Sequence, residues 1–383
     1  MPGTPQSVLL DDPREVDVVA IERELTQLWK RTTESEEEEH FSPLVRACAL
    51  NLLVVTDNAA GYDALAEMVA EVTVEHPSRT FMTLLDRGES SPSMEAWISA
   101  RCSLPFPGEK QVCCEQIALR ARGSDTGKIP SVITSLLVAN MPTVLVWTSQ
   151  IMDNDSVLQS LVAVADRVLI DSSCALDTEQ LLKAWERLLG QRDNGTAFGD
   201  LAWTHAAQWR GLLAQAFQPE EMRQYLAALE RVTVEYSSRS SPVHSGLSQS
   251  LLLLGWLSHV LNWNTARSLQ RDQGGQYAAT TSHDGQELAL QVLPRSPGHD
   301  LRGGIEAIAV TSRLGMAVRL ETTLQAGCVR MRKDARGRTP EEKVLPIRDR
   351  TEADLLASEL EELHPDDLYL RSMQALARML DRR

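Results

Sequence analysis

The sequence is poor in basic residues and in aromatic side chains. It carries 38 lysines and arginines against 53 aspartates and glutamates, a formal net charge of −15, and only 5% of its residues are aromatic. Because such a chain repels polyanions, we expect it to bind neither nucleic acid nor anionic membranes. It lacks an apolar run near the roughly 20 residues that span a bilayer, and its start has no signal-peptide pattern. The sequence therefore predicts a cytoplasmic protein.

Cysteine is scarce, and its spacing excludes the common metal and redox motifs. The six cysteines include no C-x-x-C pair, and the eight histidines include no H-x-x-x-H pair. A zinc knuckle and a thioredoxin-like motif are therefore excluded. We expect free, mostly buried thiols, as is usual in the cytosol. The six are Cys48, Cys102, Cys113, Cys114, Cys174 and Cys328.

Motifs for nucleotide binding and nucleophilic catalysis are also missing. No G-x-G-x-x-G dinucleotide motif occurs. The loop at 123–130 has one residue too few between its glycines for a phosphate loop, and Ile129 stands where the Mg²⁺-binding hydroxyl belongs. The segment 246–250 lacks the last glycine of a nucleophile elbow. The sequence therefore predicts a protein without catalytic residues, cofactor or metal.

Strand and helix patterns alternate over the first half of the chain. Nearly continuous apolar runs, such as 47–55 and 141–147, are typical of strands that are buried on both faces. Amphipathic segments separate these runs. The alternation predicts an α/β domain over 41–195, with an open, largely parallel sheet and helices on both faces. Residues 1–40 are predicted to form a helical arm and an acidic linker.

The pattern changes in the second half of the chain. The polar, glycine-bearing segment 190–199 marks a boundary, and short alternating strands separated by glycine turns dominate 269–345. Helical patterns return around 351–363 and 365–380. We therefore expect an α+β domain over 196–383, with an antiparallel meander and C-terminal helices.

The segment 199–217 is predicted to be a tryptophan-bearing helix. Asp200 is suited to cap it, and helical spacing places Trp209 on its apolar face. Two interpretations remain open. The helix is either a core strut between the two halves of the chain, or Trp203 and Arg210 lie off the apolar face and reach a partner.

A second candidate contact is a basic stretch in this acidic chain. Residues 330–338 hold five basic residues and one acid, which predicts either a solvated hairpin tip or a contact that steers an acidic partner. Aromatic residues and arginine would supply the main binding energy of such a contact. The candidate partner-binding residues are Trp203, Trp209, Arg210, Arg330, Arg332, Lys333, Arg336, Arg338 and Tyr369.

Several segments resemble the OpcA family. The motif Asp-Leu-Ala-Trp-Thr at 200–204 carries the resemblance, together with the Trp-Arg pair at 209–210. The chain departs from the family after Pro142, where Thr148 follows Trp147 in place of a second tryptophan. Further similar segments occur in the same order at 46–52, 76–79, 112–117, 165–168, 248–257 and 355–369.

The resemblance implies a function that composition and spacing do not supply. Members are described as bacterial assembly or allosteric activator proteins of glucose-6-phosphate dehydrogenase, so it implies a non-catalytic partner of that enzyme in the oxidative pentose phosphate pathway. An alternative is a sugar-phosphate-binding or enzymatic α/β protein, with a crevice lined by the loops after Val55, Leu85 and Trp147. A third interpretation, redox regulation, rests on the six thiols alone.

Overall fold

The computed structural model describes residues 6–15, 20–27, 44–103, 111–191, 195–237, 246–283, 285–295, 304–323 and 327–381. Their contacts divide the chain into two compact units, each built from segments that are distant in sequence. The predicted boundaries at residues 40 and 195 stay predictions, because the units are grouped by contacts and not by contiguous chain. Unit 1 comprises Met1–Ile170, Asp193–Gly199 and Thr351–Pro365, and unit 2 comprises Asp171–Arg192, Asp200–Arg350 and Asp366–Arg383.

Unit 1 is organised around a largely parallel sheet, which we call sheet A. Its strand order is β1-β5-β6-β4-β3-β7-β8-β9, with β2 paired to β6. The pairs from β6 through β4, β3 and β7 to β8 are parallel, whereas β5 pairs antiparallel with β1 and β6. Its strands are β1 Gln6–Glu15, β2 Leu44–Arg46, β3 Leu50–Thr56, β4 Ser78–Asp86, β5 Ser93–Ser103, β6 Gln111–Arg122, β7 Thr143–Trp147, β8 Arg167–Ile170 and β9 Ala197–Asp200.

Helices accompany the strands of unit 1, which confirms the predicted α/β class. The central strands are apolar because both of their faces are covered, and β3 and β7 are buried along their whole length. Within the predicted helical arm, residues 20–27 are helical, whereas residues 6–15 form the edge strand β1 instead. The helices are α1 at 20–27, α2 Tyr62–Glu75, α3 Ile129–Leu136, α4 Ser156–Val162 and α10 Glu352–Glu361.

A buried ion pair fixes the segment 351–365 in unit 1. Arg167, at the start of β8, donates to the carboxylate of Glu359 on α10 and to the carbonyl oxygen of His364 at 3.1 Å. Both charged side chains are buried, so each one needs the other. Gly199 lies against this pair, and a Cβ atom there would come within 3.0 Å of both side chains.

The prediction that all six cysteines are free is wrong for two of them. Cys102 on β5 and Cys113 on β6 lie opposite each other in antiparallel register and form a disulfide, with their Cα atoms 4.0 Å apart. The strand register brings the two cysteines together, and their spacing in the sequence gives no indication of this pairing. Cys114 points to the other face of the sheet, where burial raises the pKa of its thiol to about 11.

Unit 2 contains a second, mainly antiparallel sheet, which we call sheet B. Its strand order is β11-β12-β13-β10-β14-β15-β16-β17. Only the β10–β13 pair is parallel among the strands described, which confirms the predicted meander and adds one crossover. The strands are β10 Leu229–Ser237, β11 Asn264–Arg271, β12 Tyr277–His283, β13 Gln286–Arg295, β14 Ile305–Ser312, β15 Met316–Thr322, β16 Cys328–Ala335 and β17 Glu341–Pro346.

One helix covers the centre of sheet B on one face. Helix α9 (Gly246–Val260) contacts β10, β13 and β14. It also crosses α11 (Asp367–Leu380) closely, since a Cβ atom at Gly255 would lie 2.5 Å from the carbonyl oxygen of Ser372. The unit therefore has its core between α9 and one sheet face. Its helices are α5 Thr178–Gly190, α6 Leu201–His205, α7 Ala207–Phe217, α8 Glu220–Arg223, α9 Gly246–Val260 and α11 Asp367–Leu380.

Candidate partner interface

Two of the predicted aromatic anchors, Trp203 and Tyr369, belong to a buried cluster inside unit 2. Trp185 on α5 and Tyr369 on α11 are fully buried, and the Trp185 indole N–H donates to the Tyr369 hydroxyl at 2.7 Å. Trp203 on α6 lies 5.5 Å from the Tyr369 ring, centroid to centroid. Its indole N–H donates to Asp366 at 2.9 Å. The cluster thus joins the three sequence segments that make up unit 2.

Arg210 belongs to the same cluster. Its guanidinium lies 3.4 Å from the centre of the Trp203 ring and donates to the Trp203 carbonyl oxygen at 2.7 Å. Burial lowers the pKa of this guanidinium to about 10, and Asp366 opposes the shift. Stacking on an indole replaces part of the lost hydration of the cation. The guanidinium of Arg210 therefore packs over the Trp203 ring within the unit.

These contacts correct the interpretation of Trp203 and Arg210 as groups that reach outward. Trp203 and Trp209 are 4% and 6% exposed, and Tyr369 is fully buried. Such side chains offer no surface to a partner, because their apolar area is already removed from water. Any effect of these residues on partner binding would act through the fold of unit 2.

Asp200 caps the helix as the sequence predicts, but it does so in a fully buried setting. Its carboxylate accepts hydrogen bonds from the backbone N–H of Ala202 at 2.9 Å and of Ser172 at 3.1 Å. The predicted single helix is interrupted at Ala206, between α6 and α7. Desolvation by burial raises the pKa of Asp200 from 3.8 to about 7, and the charge of Asp171 adds to this shift.

This raised pKa predicts a pH-dependent stability. The folded protein binds the Asp200 proton more tightly than the unfolded chain, so its free energy of unfolding falls as the pH rises from about 4 to 7. The contribution is on the order of 4 kcal/mol. Asp200→Asn removes the titration while keeping a capping oxygen, so we expect it to gain stability relative to wild type from pH 5 to 7. Urea denaturation at several pH values measures this difference.

The matched control for this prediction is Asp177→Asn. Asp177 caps α5 through the backbone N–H of Gln180 at 3.0 Å, but it is exposed. The Asp177→Asn variant therefore shows how the loss of an exposed capping carboxylate changes the free energy of unfolding. If the two variants showed the same pH dependence relative to wild type, burial of Asp200 would not be its cause.

The basic stretch lies on a hairpin, as the sequence predicts. Strands β16 and β17 form it, and Arg330 and Arg332 alternate with the buried Val329 and Met331 along β16. Arg330 pairs with Glu342 at 3.2 Å. Arg332 is exposed and has no ion pair among the described residues. Both arginines therefore lie on the face of sheet B that is opposite to α9.

The other three basic residues lie at the hairpin end. Arg338 pairs with Glu221 at 2.8 Å, and Arg336 is exposed without an ion pair in the described part of the chain. Lys333 lies opposite Glu341 in the strand register, and burial lowers the pKa of its ammonium. Arg332 and Arg336 are therefore the basic residues of this stretch whose charges are accessible to a partner.

A charged network missed by the sequence analysis extends this surface. Glu235 on β10 binds Arg295 and Arg319, each at 3.0 Å. Glu321 on β15 binds the same two arginines at 3.1 and 3.0 Å. These bonds lower the pKa of Glu321, with the hydrogen bond from Arg319 as the main cause. The half-polar alternation of β10 and β15 is the sequence signal that could have revealed this network.

Together these residues define the exposed face of sheet B. Adjacent strands bring Thr233, Ala309, Arg319 and Arg332 into one cross-strand row. With strands about 4.8 Å apart and 3.3 Å per residue, the eight strands cover roughly 1,000 Å². A stable interface buries about 800 Å² on each partner. The exposed face consists of Thr233, Glu235, Ala309, Arg319, Glu321, Arg330 and Arg332, which are all half-buried or exposed.

The predicted alternative crevice would lie at the carboxyl edge of sheet A, where the order β4-β3-β7 places a topological switch point. The polar side chains there bond one another. Ser149 donates to Asp57 at 2.5 Å, and Arg87 donates to Asp155 at 2.6 Å while that carboxylate caps α4.

Among the described residues, no cluster of three or more metal-ligating side chains occurs, and no helix is long and apolar enough to cross a membrane.

Two family models together match most of this chain. One family model describes the N-terminal domain of a glucose-6-phosphate dehydrogenase subunit and matches residues 69–187. A second model describes the C-terminal domain of the same kind of protein and matches residues 196–373. The chain belongs to the OpcA family. Membership confirms the resemblance seen in the sequence.

Curated relatives in the OpcA family come from cyanobacteria. A putative OxPP cycle protein OpcA of Nostoc punctiforme is 27% identical over 285 residues, which cover 71% of this chain and 58% of that protein. The Synechocystis protein of the same name is 27% identical over 320 residues, covering 81% of this chain and 65% of that protein. The chain thus spans about three fifths of the length of these relatives.

Two solved dehydrogenases show a distant structural likeness. Myo-inositol dehydrogenase from Lactobacillus casei, in complex with NAD(H) and myo-inositol, has a TM-score of 0.44 and 11% identity, covering 86% of this chain and 93% of its own. The WlbA dehydrogenase from Thermus thermophilus has a TM-score of 0.38 and 13% identity, covering 72% of this chain and 84% of its own. Values this low carry no information on activity.

Proposed function

We propose that this chain is a non-catalytic regulatory protein that binds glucose-6-phosphate dehydrogenase and favours the active, substrate-binding oligomer of that enzyme. The observation that carries the proposal is the match of two domain models, both described by their link to glucose-6-phosphate dehydrogenase, to most of the chain. The putative OxPP cycle relatives support the same pathway.

Activation of this kind needs a difference in affinity and no chemistry by the chain itself. A protein that binds the active state of an enzyme more tightly than the inactive state shifts the population towards the active state. The coupling is reciprocal, so substrate that favours the active state also tightens binding of the activator. A coupling of 1–3 kcal/mol, about 5- to 150-fold, is typical of such systems.

The exposed face of sheet B and the adjoining hairpin are the proposed contact with the dehydrogenase. Arg332 and Arg336 are exposed cations on a chain of net charge −15, which fits an acidic patch on the partner. The Glu235–Arg319–Glu321 network holds the neighbouring charges in fixed positions. A preordered polar surface lowers the entropy lost on association.

The experiment that tests this function is co-elution of the purified chain with glucose-6-phosphate dehydrogenase, monitored by light scattering. We expect a complex whose mass exceeds that of the dehydrogenase by whole copies of the chain. The complex should weaken as salt rises, because the proposed contact is charged and partly exposed. Separate elution at micromolar concentrations in low salt would contradict the proposal.

A further inference from the structure

Unit 2 contains a cavity of about 870 Å³ that the proposed contact does not use. The last turns of α9 and α11, the edge strand β11 and its neighbour β12 line it. Its volume lies within the roughly 300–1,000 Å³ of small-molecule sites. The cavity is thus large enough for a metabolite.

The end of α9 is shaped to form one wall of this cavity. Asn262 adopts a left-handed conformation with φ 50°, and its N–H donates to the carbonyl oxygen of His259 at 3.2 Å. The Trp263 N–H donates to the carbonyl oxygen of Ser258 at 2.9 Å. This cap satisfies carbonyl groups that would otherwise repel an anion at the helix end.

Two arginines give the cavity its charge. Arg267 on β11 and Arg378 on α11 both line it and are exposed. Neither has an ion pair among the residues that the structure describes. Asp381 is the acidic residue in the lining, and His259 adds an imidazole. Two cations against one carboxylate make this a local positive site on an acidic chain, which favours an anionic ligand.

A buried donor in the same wall is a second, independent indication of a ligand. Trp263 is 6% exposed, and its indole nitrogen has no hydrogen-bond partner in the described part of the chain. Buried polar groups are nearly always paired, so this donor beside the cavity would gain a partner if a small shift of the indole brought it to a ligand oxygen.

We propose that this cavity binds a small phosphorylated polyol. Guanidinium groups bind phosphate oxygens through two parallel N–H donors, which assigns the phosphate to Arg267 and Arg378. The amide and hydroxyl groups of Asn264, Ser268 and Gln270 suit the hydroxyls of the ligand, and Asp381 can accept from one of them. The ligand would be an effector bound by the chain itself, independent of the dehydrogenase.

Isothermal titration calorimetry of the full chain alone tests the proposal. The probes are glycerol 3-phosphate, ribose 5-phosphate and glucose 6-phosphate, with inorganic phosphate and glucose as partial probes. We expect at least one phosphorylated polyol to bind at least tenfold more tightly than either partial probe. Because no dehydrogenase is present, failure here leaves the proposed function untouched, and a failed co-elution leaves this site untouched.

Variants locate the binding. Arg267→Gln and Arg378→Gln should each weaken it at least tenfold, and Trp263→Phe should weaken it by a smaller factor. Arg371→Gln is the matched control, since Arg371 is exposed on α11 two turns before Arg378 and does not line the cavity. Thermal denaturation shows that each variant is folded.

Three results would overturn the proposal. They are the absence of binding by all three phosphorylated polyols, binding of inorganic phosphate as tight as theirs, and affinities that stay unchanged in both arginine variants.

Discussion

Replacing Trp203 with alanine should lower the free energy of unfolding by about 3–5 kcal/mol. The side chain is 4% exposed and packs between Tyr369 and Arg210. Its removal leaves a large void and takes away the indole donor to Asp366. Because the cluster joins the three segments of unit 2, the loss should appear as a lower urea midpoint and a lower melting temperature.

The phenylalanine variant separates packing from hydrogen bonding. Trp203→Phe keeps an aromatic ring beside Tyr369 but removes the indole N–H, so we expect a smaller loss of about 1–3 kcal/mol. If Trp203 acted as an exposed contact instead, Trp203→Ala would leave the urea midpoint unchanged and would weaken only the complex with the dehydrogenase. That outcome would contradict the buried cluster described above.

Charge reversal on the hairpin should have the largest effect on partner binding. The double variant Arg332→Glu/Arg336→Glu replaces two exposed cations with anions, and like charges that face each other at an interface oppose association. We therefore expect its affinity for glucose-6-phosphate dehydrogenase to fall by roughly 10- to 100-fold, mainly through slower association at low salt. Biolayer interferometry at two ionic strengths measures both quantities.

The fold of the variant should be unaffected, because neither arginine has an ion pair among the described residues and exposed substitutions change stability little. Arg371→Glu is the control for net charge and is compared with the single variant Arg332→Glu, which changes the net charge by the same amount. Arg371 is exposed on α11 and lies outside the hairpin. Equal weakening by these two single variants would mean that net charge, and not this surface, governs association.

Local chemistry made the architecture predictable from the sequence. The apolar runs that became β3 and β7 are buried on both faces, and that burial is what a parallel sheet requires. The capping carboxylate of Asp200 and the basic hairpin were also predictable, since caps and turns depend on neighbouring residues.

Features that depend on contacts between distant residues could not be predicted from the sequence. The disulfide between Cys102 and Cys113 follows from the register of β5 and β6. The Trp185–Tyr369 bond joins residues 184 positions apart, and this packing turned a predicted partner anchor into a core side chain. The cavity beside Trp263 likewise needs α9, α11 and β11 to be placed together.

The measurement that tests the central claim most directly is the Michaelis constant of glucose-6-phosphate dehydrogenase for glucose 6-phosphate, titrated with this chain. The account predicts that the constant falls and saturates as the complex fills. It also predicts that the chain alone, supplied with the dehydrogenase's substrates, gives no turnover. An unchanged Michaelis constant and turnover number at a saturating concentration of the chain would contradict it, as would turnover by the chain alone.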